Sequence, residues 1–447
     1  MEIIADLHFH SKYSRAVSRD MTIPTIRAYA KKKGIMLTAT TDWTHPLWIR
    51  EIKNELEEAG EGVYELKGEK QENDPKFILS VEVSSIYKKG DKVRRIHTLL
   101  FVPSIEVAEK VNKELVKRGV NLASDGRPIM GLTPPNLIEI MMGIDERSFL
   151  IPCHVWTPWF ALYGSMSGFD SIEECFGDYS KYIYGVETGL SSDPVMNWRI
   201  DELKNRSILS NSDSHSPMKM GREATVFVPK TEISNDKSQM TKFTYDDIRL
   251  AIMRHKEAKL KIGYTIEFYP EEGKYHYTGH RNCGVSFSPK EMKKSGVICP
   301  VCKKNLTVGV MQRIEDLANR KEWMIEKTGK SGVKWIMDPE KNHPPYAKLV
   351  PLNEIIAQVL GMGVASQKVK NMYEEMIKSF GSEFEILLKV STDKIESKYS
   401  KEIAAGISKV RSGDIYIKPG FDGEYGIVKI ESDEEMIKNP EVQKALF

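Results

Sequence analysis

Over residues 1 to about 263, short apolar runs alternate with amphipathic stretches. Ile3-Ile4-Ala5 predicts a strand that ends at Asp6 to His10. Thr22 to Lys33 predicts a helix, with Thr22 as N-cap, Pro24 near the first turn and Gly34 beyond the basic last turn. Met36 to Thr41 predicts a second strand and Pro46 to Glu58 a second helix. Further strands are expected at Phe77–Val83, His97–Val102, Phe149–Cys153, Ile183–Val186 and Ile208–Leu209, with helices at Val107–Arg118 and Pro135–Met142. Strands alternating with helices imply an α/β fold, a parallel sheet or barrel. His8, His10, Asp42, Glu82, His154, Glu187 and Asp213 all fall at or just after a predicted strand's end. That is where a parallel barrel carries its site. His97 is the exception, since it opens its strand.

The pattern changes near Tyr264, where Tyr and Gly become frequent and the apolar runs shorten. A small metal-binding module is expected over 264–310 and a mainly helical C-terminal domain over 311–431, followed by a tail, 432–447. The helices are expected at Gln312–Glu326, Leu352–Leu360, Gln367–Phe380 and Lys401–Val410. A terminal hairpin is expected over Asp414–Ile430.

Composition narrows the class without naming a partner. The chain has 447 residues, too many for one ordinary core. Lys+Arg 65 against Asp+Glu 63 leaves a net charge of +2, which is neutral on a nucleic-acid partner. Residues 251–310 are locally basic, with eleven Lys/Arg against five Asp/Glu. Neither a secretory start nor an apolar run of about 18 residues is present, so a cytoplasmic location is expected. Five cysteines, two of them in Cys299-Pro-Val-Cys302, read as metal binding in a reducing compartment.

Six of the ten histidines lie in one distributed set: His8, His10, His45, His97, His154 and His215. His8-x-His10 on a strand exit turns both rings to one face. Imidazole with Asp and Glu suits transition-metal and hard cations together, and carboxylates can bridge two ions. Paired ions of this kind hydrolyse phosphoesters. A lone His97 would read as core, but His8-x-His10 and Asp213-x-His215 at two strand ends do not. Farther along, His280-Arg-Asn-Cys283 and Cys299-Pro-Val-Cys302 are two x2 pairs with the spacing of a closed tetrahedral zinc site. His276 is a competing ligand at a less usual spacing. Lys290, Lys293, Lys294, Lys303 and Lys304 surround the site, fitting either a phosphate backbone or a solvated surface.

Asp6-Leu-His-Phe-His-Ser, Thr41-Asp42, Glu82, His97, His154 and Asp213-Ser-His215 resemble the PHP superfamily. The resemblance implies a distorted β/α barrel with a metal cluster at the C-terminal strand ends. It implies that His8, His10, Glu82 and Asp213 hold one ion, that Glu82 bridges to a second held with His97 and His154, and that His45 and His215 hold a third. Trp43 stands directly after Asp42 where the superfamily usually has His, so the third position departs from the pattern.

Among PHP proteins, the layout resembles the endonuclease Q family, through Thr41-Asp-Trp-Thr-His-Pro-Leu-Trp48, Glu187-Thr-Gly-Leu-Ser-Ser-Asp193-Pro, Asn211-Ser-Asp-Ser-His-Ser-Pro217 and Gly279-His-Arg-Asn-Cys-Gly284. That resemblance implies a DNA repair endonuclease cutting 5′ of uracil, hypoxanthine, xanthine or an abasic site, using two or three divalent ions (zinc, magnesium or manganese) and a structural zinc. It implies that Asp193 orients or deprotonates the attacking water; a plain N-cap before Pro194 fits the local sequence equally well. Trp43, Trp48, Trp156 and Trp159 follow ligand-bearing strand ends and could wall a pocket for an extruded base. Arg222 is a candidate phosphate contact. Gln443-Lys-Ala-Leu446-Phe447 resembles the start of a sliding-clamp-binding peptide. The competing reading is a small-molecule phosphatase of the histidinol-phosphatase kind with a structural zinc module.

Overall fold

The structure, a computed structural model, describes residues 2–68, 70, 74–230 and 243–431. Its first half is a distorted barrel. Strand Ile3–Asp6 lies between Leu37–Ala39, which is parallel to it, and Ala224–Pro229, which is antiparallel. Leu37–Ala39 continues in parallel to the long strand Lys76–Lys89. That strand turns through Gly90-Asp91 into Lys92–Val102, and the two pair antiparallel in unbroken register from Leu79↔Val102 to Lys89↔Lys92. Phe149–Pro152 pairs with Lys92–Val102, and Gly185–Glu187 runs parallel to Ser207–Leu209. Backbone hydrogen bonds past the strand ends close the ring: Val155 N to Glu187 O at 3.1 Å, Asp213 N to His8 O at 2.8 Å and His10 N to Ser214 O at 3.1 Å.

The strands form here because their side chains are apolar on both faces. Ile3, Ala5 and Leu7 join Leu37, Ile78, Leu99, Phe101, Ile151, Leu209 and Phe227 in one cluster. Only the interior of a ring is shared by all those strands, so this cluster is the barrel's core. The alternate residues, such as Ile4, Leu79 and Leu100, face outward into the larger cluster that packs the surrounding helices.

The sheet is not wholly parallel. Lys92–Val102 runs against its neighbours, so its N-terminal half sits at the end where the parallel strands finish. This is why His97 opens its strand and still reaches the site. The expected helix Pro46–Glu58 stops at Glu55, and Leu56–Gly60 pairs with Val63–Leu66 as a hairpin instead. The expected boundary at 263/264 falls inside Leu260–Glu267, which pairs with both Ala224–Pro229 and Tyr346–Lys348. Residues 311–350 are correspondingly not mainly helical. After Val310–Leu317 come the strands Ile325–Thr328, Lys334–Met337 and Tyr346–Lys348, which extend the barrel's sheet. Their short runs hide among Lys and Glu, which masks strand period.

The five helices Leu352–Val359, Gln367–Phe380, Glu383–Leu388, Thr392–Lys398 and Lys401–Ser412 form the C-terminal bundle, and the hairpin Tyr416–Lys418 with Ile427–Lys429 follows. The bundle docks on the barrel through a buried ion pair, Lys33 Nζ to Glu383 Oε2 at 2.7 Å. The tail Gln443–Phe447 lies outside the described residues. Among the described residues no helix is long and apolar enough to cross a membrane.

Candidate metal-dependent active site

At the mouth of the barrel the backbone is bent into unusual shapes. Thr41, Asp42, His154 and Asp213 all have positive φ, between 29° and 52°. Such conformations persist only where surrounding structure holds them, and they cluster at functional sites. Trp48 Nε1 donates to the carbonyls of Thr40 and Thr41, at 2.9 Å each, and Trp156 Nε1 donates to Asn197. Trp43, Trp48 and Trp156 are fully buried, so they brace the site and do not wall a pocket. Two glycines are dictated by close approach. A Cβ on Gly126 would lie 2.3 Å from Asp42 Oδ2, and one on Gly189 (φ +58°) would lie 2.3 Å from His154 Cβ.

These constraints bring two donor groups together. His8, His10, Glu82 and Asp213 offer one atom each within 4.8 Å of one another, as do Glu82, His97 and His154. His10 Nε2 lies 3.2 Å from both Glu82 Oε2 and Asp213 Oδ1, and His8 Nε2 lies 3.7 Å from the same pair. Even so, His8 Nε2, His10 Nε2 and Asp213 Oδ1 are buried without a hydrogen-bond partner. Orphaned buried donors and acceptors are costly, and three of them converging beside Glu82 fit a cation. Glu82 Oε1 faces His97 Nδ1 at 2.6 Å and His154 Nε2 at 3.0 Å, so this carboxylate belongs to both groups.

Behind the cage, each ring is aimed by a second partner. Glu187 accepts from His8 Nδ1 at 3.0 Å, from His154 N at 3.0 Å and from Asn211 Nδ2 at 2.8 Å. Asp42 lies 3.4 Å from His10 Nδ1 and accepts from Ser11 and Ser14. Burial works against charge on His8, but the carboxylates of Glu187 and Asp213 outweigh it and hold its pKa well above the usual imidazole range. His10 is raised in the same way, burial being overcome by Asp213 and Asp42. His97 and His154 lie 3.3 Å apart and cannot both be charged. Burial pushes His97 down to about 4, whereas for His154 the Glu82 carboxylate overcomes burial and raises it.

Sequence reasoning missed Arg127. Its Nη1 donates to Glu82 Oε2 at 2.9 Å and it lines the open cleft of about 440 Å³ in front of the cage. No spacing signal marks it. It arrives by way of the tight turn at Gly126.

Other expected residues sit elsewhere. His45 joins neither group: it precedes helix Pro46–Glu55 and its ring stacks on Tyr13 at 4.4 Å. His215 packs its ring on His10 at 4.9 Å without entering a donor group, so the third ion position is not assembled among the described residues. Two residues, Trp43 and Thr44, intervene between Asp42 and His45. Asp193 does not face the cage. Its Oδ1 caps helix Pro194–Trp198 through Met196 N at 3.0 Å, and its Oδ2 pairs with Lys348 Nζ at 2.7 Å. Arg222 Nε donates to the Ser212 carbonyl at 3.1 Å, so it steadies the loop before Asp213. Trp159 does line the cleft, edge-on to Tyr275 at 5.5 Å.

The second donor set is as compact. His280, Cys283, Cys299 and Cys302 converge within 4.8 Å. His276 is buried apart from them, which leaves His280 as the fourth donor. The local core is only Val285, Met292, Cys299 and Leu306, too little to hold a module without a metal. Backbone N–H groups of Cys302 and Val301 pull the Cys299 pKa down, which favours a thiolate ligand.

A β/α barrel with a histidine–carboxylate cage at its mouth defines a PHP-type metal-dependent phosphoesterase. The comparisons sharpen that class. The crystal structure of the lesion-specific endonuclease PfuEndoQ from Pyrococcus furiosus matches with TM-score 0.78 and 31% identity, over 98% of this chain and 99% of that one. Endonuclease Q in complex with a 27-mer duplex bearing an abasic lesion matches with TM-score 0.79 and 32% identity, over 98% of each chain. The chain belongs to the endonuclease Q family. Residues 351–414 match the model of the MJ0043 C-terminal domain. Protein MJ0043 of Methanocaldococcus jannaschii is 35% identical over 278 residues, which is 62% of this chain; the chain spans about a third (31%) of that relative's length.

Proposed function

We propose that the protein is a DNA repair endonuclease that hydrolyses the phosphodiester 5′ of uracil, hypoxanthine, xanthine or an abasic site, leaving a 3′-hydroxyl and a 5′-phosphate. The observation that carries this reading is the cage of His8, His10, Glu82 and Asp213 at the mouth of a barrel that aligns end to end with lesion-specific endonucleases. His8, His10, Glu82 and Asp213 would hold one divalent cation, and Glu82, His97 and His154 a second. The chemistry such ions supply is a water of lowered pKa and neutralised phosphate oxygens. The protein's own groups position the rest. Glu187 and Asp42 fix the ligand rings, Arg127 faces the cleft as a cationic contact for the scissile phosphate, and Trp159 with Tyr275 forms an aromatic wall for the strand. Zinc at His280, Cys283, Cys299 and Cys302 staples a module whose Lys290, Lys293, Lys294, Lys303 and Lys304 are exposed or nearly so, and these track the DNA backbone. A sliding-clamp contact through Gln443–Phe447 is a further reading that rests on sequence alone.

The test is direct. Labelled duplexes carrying deoxyuridine, deoxyinosine, an abasic site or normal bases are incubated with the protein and magnesium, manganese or zinc. Nicking confined to the lesion strand, lost on Glu82→Gln, is the expected result. Phosphate release from histidinol phosphate with every duplex intact would overturn the reading.

A further inference from the structure

Two acidic side chains face each other inside the sheet. Strand Ala224–Pro229 runs antiparallel to Leu260–Glu267, with Ala224 opposite Ile266 and Thr225 opposite Thr265. One step further in the same register sets Glu223 opposite Glu267, and Glu223 Oε1 accepts from Phe268 N at 3.3 Å. Side chains directly opposite share a face, with Cβ atoms roughly 4.5–5.5 Å apart. Both carboxylates are fully buried, and Oε2 of each lacks a hydrogen-bond partner.

The cations beside the pair have other partners. Lys348, Asp193 and the Tyr346 phenol act on Glu267, but Lys348 Nζ is paired with Asp193 Oδ2 at 2.7 Å. Glu187 and Arg222 act on Glu223; Glu187 adds repulsion, and Arg222 Nε donates to the Ser212 carbonyl at 3.1 Å. Two carboxylates held opposite each other out of water cannot both ionise at neutral pH. Burial, and then the facing Glu267, holds Glu223 well above the usual carboxylate range, and burial lifts Glu267 to about 7.

The pair is joined to the loop that carries Asp213. Glu267 Oε1 accepts from Ser210 Oγ and from Thr265 Oγ1. Ser210 Oγ accepts in turn from Thr188 Oγ1 at 3.0 Å, next to Glu187, and Ser210 N donates to Thr225 Oγ1 at 2.9 Å. Ser210-Asn211-Ser212-Asp213 thus begins on Glu267, and Arg222, the neighbour of Glu223, holds its middle at Ser212. We infer that Glu223 and Glu267 share one proton and that the protonated pair is a positioning device seating the Ser210–Asp213 loop, so that the cage holds its cation firmly only while the pair keeps that proton. Loss of the proton to solvent leaves two buried anions face to face. Their separation displaces Ser210 on one side or the Arg222 contact on the other, and both lead to Asp213. The inference rests on the metal reading of the cage and is independent of the substrate.

The test measures manganese affinity, by competition with a chelator, from neutrality to about two pH units above it. It compares the wild-type protein with Glu223→Gln and with Glu223→Gln/Glu267→Gln, whose amides keep the shape and cannot ionise. Wild-type affinity should fall about tenfold or more toward the alkaline end, as one coupled proton is lost, while both variants hold theirs. The infrared C=O stretch of a protonated carboxyl should be present in the wild type at neutral pH, vanish as its affinity falls, and be missing from the difference spectrum of the double variant. The same alkaline fall in all three proteins overturns the inference. So does a loss of affinity in the variants that is equal at every pH, which marks a merely structural role. A wild type without the carboxyl band, whose melting temperature instead rises with sodium or potassium, overturns it too, since a cation would then hold the pair. A wild type that binds no manganese overturns the metal reading beneath the inference, and the infrared band still reports on the shared proton.

Discussion

Glu187→Gln isolates the layer behind the metal cage, because it keeps the side chain's shape and removes only its charge and one acceptor. Oε1 accepts from His8 Nδ1 and from Asn211 Nδ2, while Oε2 accepts from His8 Nδ1 and from His154 N. An amide must place its NH2 at one of these positions. At the Oε2 position it meets the His154 N–H, donor against donor. At the Oε1 position it meets Asn211 Nδ2, and Asn211 cannot flip to help, because its Oδ1 accepts from Leu7 N at 2.8 Å. Either orientation leaves one buried donor unpaired, a cost of about 1–3 kcal/mol. The cost falls on the His8 and His154 rings, so apparent metal affinity should weaken about ten- to a hundredfold. The assay is nicking as a function of metal concentration, with thermal melting alongside. A folded Glu187→Gln protein with the wild-type metal titration would refute the reasoning, as would a drop in melting temperature with metal dependence unchanged.

Gly189→Ala, with its Cβ driven onto His154, should abolish nicking, whereas Gly90→Ala, also at positive φ but with open space around it, should not; nicking and melting of both variants check this. Carboxylates hold the His8 and His10 pKa values well above the usual range, and a cation needs those rings neutral, so metal affinity should fall as pH drops through neutrality; titrations on either side of neutrality that superpose would contradict it. Burial raises Glu267 from its usual 4.5 to about 7. Between those values the folded state holds a proton that the unfolded chain has released, so stability should decline as pH rises across that window. Thermal melts should show that slope in the wild type and a flatter one in Glu267→Gln. Cys302→Ser should cost the protein one bound zinc by metal analysis and expose the 278–307 region to protease, with the barrel's metals retained.

Much of the site was legible in the sequence, because ligands sit at strand exits and strand exits follow apolar runs. His8-x-His10, Glu82, His154 and Asp213 all follow that logic. His97 did not, since reading it required knowing that one strand is reversed, and strand direction leaves no mark in a hydrophobic pattern. The zinc-type set was legible because its spacing is local. Asp193 was ambiguous for a physical reason: an acidic residue before Pro at a helix start looks the same whether it serves a water or caps the helix, and its partner Lys348 lies far along the chain. Arg127 and Lys348 were invisible because they depend on a turn and on strands whose pattern is masked by a charge-rich stretch, Ile325–Lys348.

The hairpin that pairs Ser84 with His97 gives the site a control point remote from its chemistry. Side chains alternate along a strand, so Glu82 and His97 share a face only because the register between them is fixed. That register is set by the tip, Gly90-Asp91, where the chain turns beyond the barrel. Adding or removing a single residue there would turn His97 to the opposite face while leaving every ligand present in the sequence. The spacing between Glu82 and His97 along the chain is therefore itself a functional quantity, and within this hairpin only changes in steps of two preserve the bridge.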